Sequence, residues 1–399
     1  MRIRLVQVLG VALVLASTGC GSGDESPSSS VRLVQLSDGQ IQPRVVVADG
    51  VTHLLSYSGE NSGGDLFYAH SEDGMRTFSD PIRVNSQDGS AVSGGTIRGG
   101  ELAVGQDGRV HVAWNGSGSA LPKGPLNPEQ PQDSPHNGLP FLYSQLGENG
   151  EFTPQRNLMQ KTFALDGGGT IGVDDEGNAY AAWHGSTVGS GKGEAGRQVW
   201  LTRSTDNGVS FPEERAVSDP EQGACGCCSS HLYVGDEGRL AVFYRTAREI
   251  ENRDGFLLTS SDYGDTFESN MLQPWKISAC PMSSASYAEG PAGLLVAWET
   301  AGQVWFAPID IASGETTAEP VAAPGEASAR KHPSLAQNSR GETLLAWTET
   351  ESWGKDGTLY WQLFDRDGQP LEESGSTAGV PAWSFGTAVA LEEGFAILY

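Results

Sequence analysis

Apolar and polar positions alternate in short runs along nearly the whole chain. One unit recurs: an apolar run, a polar turn, and a second apolar run that closes on Trp or Tyr. Copies span 45–57, 102–114, 171–183, 232–244, 286–298, 335–347 and 387–399. Their closing aromatics are Tyr57, Trp114, Trp183, Tyr244, Trp298, Trp347 and Tyr399, spaced 57, 69, 61, 54, 49 and 52 residues apart. Turns such as Ala48-Asp49-Gly50, Gln106-Asp107-Gly108 and Asp236-Glu237-Gly238 carry hairpin chemistry. A third strand is expected after most pairs, at 65–70, 141–145, 198–203, 256–260, 303–308 and 358–364, and a fourth beyond, as at 81–84. Four strands repeating about every fifty residues predict an all-β fold, a single β-propeller of four-stranded blades. The inner pairs count seven blades. The seventh pair ends on Tyr399, so residues 31–36 are expected to supply its outer strand and close the ring, leaving no open edge there.

An eight-residue pattern adds a second repeat. Ser71-Glu72-Asp73-Gly74-Met75-Arg76-Thr77-Phe78, Ser204-Thr205-Asp206-Asn207-Gly208-Val209-Ser210-Phe211 and Ser260-Ser261-Asp262-Tyr263-Gly264-Asp265-Thr266-Phe267 share the form Ser-x-Asp-x-Gly-x-Thr/Ser-Phe, with Met75 in place of the glycine in the first. In a tight turn the Asp accepts bonds from the turn's own N–H groups and Gly supplies a positive φ. The pattern resembles the Asp-box (BNR repeat) of sialidase-like β-propellers. Sialidases as a family have six blades, so six is the alternative count. The box is structural and names no reaction.

Composition agrees with many short strands: 399 residues contain 53 Gly and 21 Pro. The net charge of −25 disfavours nucleic acid, which needs a basic face, and disfavours anionic membrane surfaces. Residues 1–20 read as an export signal: Arg2 and Arg4 precede an apolar stretch at 5–16 that is too short to span a bilayer. Ser17-Thr18-Gly19-Cys20 resembles a bacterial lipobox, with Cys20 as the lipidated residue; Ser17 stands where that pattern prefers Leu. Residues 21–30 form a Gly/Ser/Pro tether, and 31–399 the propeller. The expected location is the bacterial cell envelope, as a membrane-anchored lipoprotein, with secreted or periplasmic protein as the alternative. Membrane contact is expected only through that anchor, and the chain is expected to act as a monomer.

Loops entering the innermost strands of a propeller converge on one mouth of its channel. Sixteen residues before each closing aromatic stand Ile41, Arg98, Gly167, Cys228, Met282, Lys331 and Trp383, with Arg44, Asp166, His231, Arg330 and His332 nearby. Convergent polar groups at a channel mouth make a binding-site hypothesis. Arg98, Asp166, Arg330, Lys331, His332 and Trp383 are the candidate ligand-binding residues, the last as a stacking surface. By resemblance to sialidases, Gln42-Pro43-Arg44-Val45 stands where the family's first arginine opens an Arg-Ile-Pro motif, and Asp65 stands where its acid/base aspartate lies. The family's second arginine is absent: the equivalent place reads Ser58-Gly59-Glu60-Asn61. Tyr287 and Glu289 are the candidates for the Tyr/Glu pair, without a supporting motif. The resemblance implies exo-glycosidase action in which Arg44 holds an anionic sugar and Asp65 protonates the leaving oxygen.

Cys225, Cys227, Cys228 and Cys280 enter two neighbouring blades. In an exported protein two disulfides are the first reading, one of them linking Cys280 to the 225–228 loop. The second is a thiolate metal site for Zn or Cu, joined by His231 or His332; otherwise no cofactor is expected. His53 and His111 fall inside second strands and read as half-buried strand residues. The expected function is recognition of a glycan or other extracellular ligand at the mouth, with sialidase-type hydrolysis possible; the alternatives are a scaffold for a protein partner and a cysteine-based metal or redox site.

Overall fold

A computed structural model describes residues 30–399 apart from positions 135, 192, 328, 351 and 353. The expected signal segment, Cys20 and most of the tether lie outside the described residues. Seven sheets form, six of them built from consecutive strands in order from the axis outward. Their innermost strands are Gln40–Ala48, Gly100–Val104, Thr170–Val173, His231–Val234, Ala285–Gly290, Arg330–Gln337 and Thr387–Ala390, which define blades 1 to 7. The protein is a seven-bladed β-propeller.

The local signals explain the match to the sequence reading. The third strand of blade 2 runs Phe141–Gln145 and that of blade 3 Gln198–Ser204. Trp114, Trp183 and Trp298 are fully buried between blades and Tyr57, Tyr244 and Trp347 are buried, so these closing aromatics are core. His53 and His111 are buried too, each bonded through Nδ1 to a tyrosine hydroxyl of the next strand, Tyr68 at 2.8 Å and Tyr143 at 2.7 Å.

Blade 7 closes the ring. Val31–Val34 pairs with Phe395–Leu398, Val31 opposite Phe395, and the ladder continues through Leu36 N–H to the Tyr399 carbonyl at 2.9 Å. The expected partner is right, and among the described residues the blade falls one strand short of the expected four. The added strand is parallel. Blade 5 departs the other way: Gln303–Asp310 pairs with both Glu315–Thr316 and Val321–Ala322, giving five strands.

The Asp-boxes are three copies of one turn. The Ser204 hydroxyl donates to Asp206 Oδ1 at 2.6 Å; Ser210 N–H donates to the same oxygen at 2.8 Å, and Ser210 Oγ–H to Oδ2 at 2.5 Å. Asp73 and Asp262 repeat this with Thr77 and Thr266. The fifth position has positive φ in all three: Gly208 at 75°, Gly264 at 77° and Met75 at 65°. Met75 keeps the turn at a steric cost and buries its side chain in return.

Candidate functional site

Each inner strand opens at the same end of the channel, and there the chain turns sharply. Gln42, Thr96, Met282, His332 and Trp383 all have positive φ, between 49° and 68°. Blades 1 and 6 share a device: the ladder slips between Ile41 and Arg44 and between Lys331 and Ser334, where Gln42-Pro43 and His332-Pro333 bulge out. A proline has no N–H to lose in a bulge. These strained positions sit together at one mouth, as at many functional sites.

The entering loops bond to one another across the axis. Thr96, before blade 2, meets His332 Nε2 of blade 6 through its hydroxyl at 2.8 Å. His332 Nδ1 faces Ser284 Oγ of blade 5 at 3.3 Å, and its backbone N–H donates to Glu299 at 2.8 Å. The Gln42 amide donates to the carbonyls of Ser93 and Trp383, each at 2.9 Å. Ser229 Oγ–H donates to the Ile97 carbonyl at 2.9 Å. Bonds between non-neighbouring blades brace this end of the channel.

Beneath the brace lies a cavity of about 600 Å³ lined by the inner strands of all seven blades. At its braced end stand Arg44, Thr96, Glu101, His231, Ser284, His332 and Phe385; farther along, Tyr233, Tyr287 and Glu289 join valines and leucines. Arg44 pairs with Glu101 at 2.8 Å and lies over the Phe385 ring, 4.3 Å from its centroid. Burial raises the Glu101 carboxyl, with Arg44 opposing. Burial, reinforced by Arg44, pushes the His231 imidazole down to about 3, so it is neutral at pH 7. His332 is likewise held well below its usual range by burial and then by Lys331. Tyr233 Oη–H donates to Glu289 at 2.6 Å. Four buried polar atoms of lining residues lack side-chain partners: Arg44 Nε, His231 Nε2, Ser286 Oγ and Tyr287 Oη.

Of the candidates from sequence, Arg44, Tyr287, Glu289 and His332 line this cavity. Arg98 pairs with Asp166 and donates to the Gly94 carbonyl at 2.6 Å. Arg330 is buried among Glu349, Gln303 and the carbonyls of Ala323 and Pro324, at 2.8 to 3.0 Å. Lys331 reaches Glu299 at 3.1 Å and the Pro281 carbonyl at 2.5 Å. Asp65 accepts from Asn85 Nδ2 at 2.7 Å and from Gly89 N–H at 2.8 Å, which fixes the loop after the fourth strand of blade 1. Trp383 is half-buried at the mouth. Glu101, Glu299 and Tyr233 were missed; they are strand residues whose roles depend on partners in other blades.

The four described cysteines are free, so the expected disulfide pairing is not what the structure holds. Cys280 is exposed and stands apart from the other three, which are buried with their Sγ atoms within 4.8 Å of one another. Cys225 Sγ lies 3.0 Å from Cys228 Sγ and 3.6 Å from Cys227 Sγ, well beyond a bonded S–S length of about 2.05 Å. His231 and His332 belong to the channel rather than to this group.

The fold is that of the β-propellers found in sialidases and arabinanases. A Hadza microbial sialidase superposes with a TM-score of 0.51 at 11% identity, over 78% of this chain and 63% of that one. Penicillium chrysogenum α-L-arabinanase, solved with arabinobiose, gives 0.51 at 12% identity over 83% and 95%. Trypanosoma rangeli sialidase, solved with 2,3-difluorosialic acid, gives 0.50 at 11% over 79% and 53%. The chain thus spans under two thirds of the length of both sialidases. No protein-family model and no curated protein matches the sequence.

Proposed function

We propose that this protein binds a carbohydrate in its axial channel and does not cleave it. The observation that carries this reading is the cavity of about 600 Å³ with Arg44 Nε and His231 Nε2 unpartnered on residues of its wall. Its volume falls within the roughly 300–1,000 Å³ of small-molecule sites. Its lining suits a sugar: aliphatic strips and two tyrosines for C–H faces, and a few polar groups for hydroxyls. Arabinobiose and difluorosialic acid in the propellers it resembles support the ligand class.

Hydrolysis has less support. A sialidase clamp needs arginines free for a bidentate carboxylate. Here Arg44, Arg98, Arg330 and Lys331 each already face a carboxylate. Asp65 holds a loop, and Tyr287 and Glu289 line the channel wall. The test combines a glycan array with a fluorogenic sialoside. Binding without release is expected for wild type and Asp65→Ala alike. Release by wild type that Asp65→Ala abolishes would establish the enzyme instead.

We further propose an exported bacterial lipoprotein anchored at Cys20, on the charged and apolar pattern of residues 1–20. Cys20→Ala is expected to move the protein from the membrane pellet to the soluble fraction and to end labelling by a fatty-acid analogue. Unchanged labelling would refute the anchor.

A further inference from the structure

Outside the channel, the most concentrated chemistry is the loop entering blade 4. Cys225, Cys227 and Cys228 are buried there, at 2%, 6% and 2% exposure. The loop is held from several sides. Cys225 N–H donates to the Arg245 carbonyl at 2.8 Å, Gly226 N–H to Glu194 at 2.6 Å, and Gly167 N–H to the Gly226 carbonyl at 2.6 Å. Gly167 packs on the Cys228 carbonyl so closely that a Cβ there would clash with it. The three sulfurs therefore converge on a fixed frame.

The surroundings are built for negative charge. Arg245, fully buried, donates from Nε to Ser283 Oγ at 2.7 Å, and Ser283 Oγ–H donates to Cys228 Sγ at 3.3 Å. Arg253, 4% exposed, sits within electrostatic reach of Cys225 and Cys227, and its Nε and Nη1 have no partner. His184 accepts from Gly167 N–H through Nε2 at 3.0 Å, which places its own proton on Nδ1. That Nδ1, near Cys228, also has no partner. Buried donors left unmade cost about 1–3 kcal/mol each, so they imply an absent negative group. Arg245, Arg253 and Arg197 surround the sulfurs; Glu194 pairs with Arg197 and Arg253, and Glu299 and Asp254 lie within electrostatic reach of Arg245.

We infer that Cys225, Cys227 and Cys228 bind one Cu(I) ion as three thiolates. On binding, three S–H protons pass to solvent and three Cu–S bonds form. The centre then carries two negative charges, within electrostatic reach of the guanidiniums of Arg245 and Arg253. Soft thiolates select Cu(I) or Zn(II). Structural zinc takes four ligands almost without exception, and among the described residues three donor atoms converge here. Ligation by three sulfurs without a fourth donor favours Cu(I) over Zn(II).

The test is a Cu(I) titration of the full chain, reduced and handled anaerobically, against a chromophoric Cu(I) chelator. One Cu(I) per chain is expected, with a thiolate charge-transfer band and a sulfur-only first shell in X-ray absorption. Cys227→Ser should weaken binding at least about 100-fold. Arg253→Gln should weaken it about 10–100-fold, as loss of an outer partner does. Cys280→Ser should leave it within twofold. Near-ultraviolet circular dichroism of each apo variant reports folding separately. Failure to compete with the chelator, preference for Zn(II) over Cu(I), or a Cys227→Ser variant that is folded and binds as wild type would each overturn the inference.

Discussion

Met75 shows how two residue-scale effects are weighed. Its φ of 65° is one that Gly208 and Gly264 adopt freely, so Met75→Gly relieves roughly 1–2 kcal/mol of backbone strain. The same change removes a buried side chain from the cluster of Leu54, Val389 and Leu398, at a cost of about 2–5 kcal/mol. Burial wins, so Met75→Gly should lower the melting temperature; a rise would contradict the packing described. The Asp-box carboxylates make a pH prediction. Bonds from Ser204 and Ser210 hold Asp206 down to about 2, and bonds from Thr266 do the same for Asp262. A folded value below the unfolded value of about 3.9 means stability that is present above pH 4 and lost as pH falls toward 2. A double Asp206→Asn, Asp262→Asn variant should start less stable and show a flatter melting profile between pH 4 and 2. An unchanged slope would mean these turns open before they titrate.

At the element scale, the prediction concerns closure. Val31 and Leu33 pack against the cluster of Phe395 and Ile397 in blade 7. Removing residues 31–36 would uncover the Phe395–Leu398 edge, an unpaired apolar strand. The truncated protein should melt lower and scatter light at concentrations where the full chain does not; identical melting would show that the N-terminal strand is dispensable. Strands were legible because their signals are local: alternation, turn residues and a closing aromatic. Residues 141–145 matched to the residue for that reason. The direction of the closing strand was not legible, since parallel or antiparallel pairing is set by where the chain must go next. Nor were the partners of Arg44, Thr96 and Arg253, because each lies in another blade or strand and spacing along the chain does not encode it. The cysteine cluster was half legible. Cys225 and Cys228 stand three apart, a metal-type spacing that was there to be used, whereas Arg253 and His184 become neighbours only through the fold.

Across the whole molecule, seven inner strands meet around one axis, and this gives a chain with a net charge of −25 an axial channel lined by both polar and aliphatic side chains. The bracing bonds from Thr96 to His332 and from Gln42 to Ser93 and Trp383 hold one end of that channel. Residues as far apart in sequence as Arg44 and Phe385 thereby share one wall. The central claim is that a sugar enters here, and calorimetry of the strongest glycan-array ligand tests it most directly. Arg44→Met should weaken binding at least tenfold, while Arg203→Met, on an outer hollow beside Tyr263, leaves it unchanged. Equal affinity in the wild type and Arg44→Met, or a loss confined to Arg203→Met, would contradict the account.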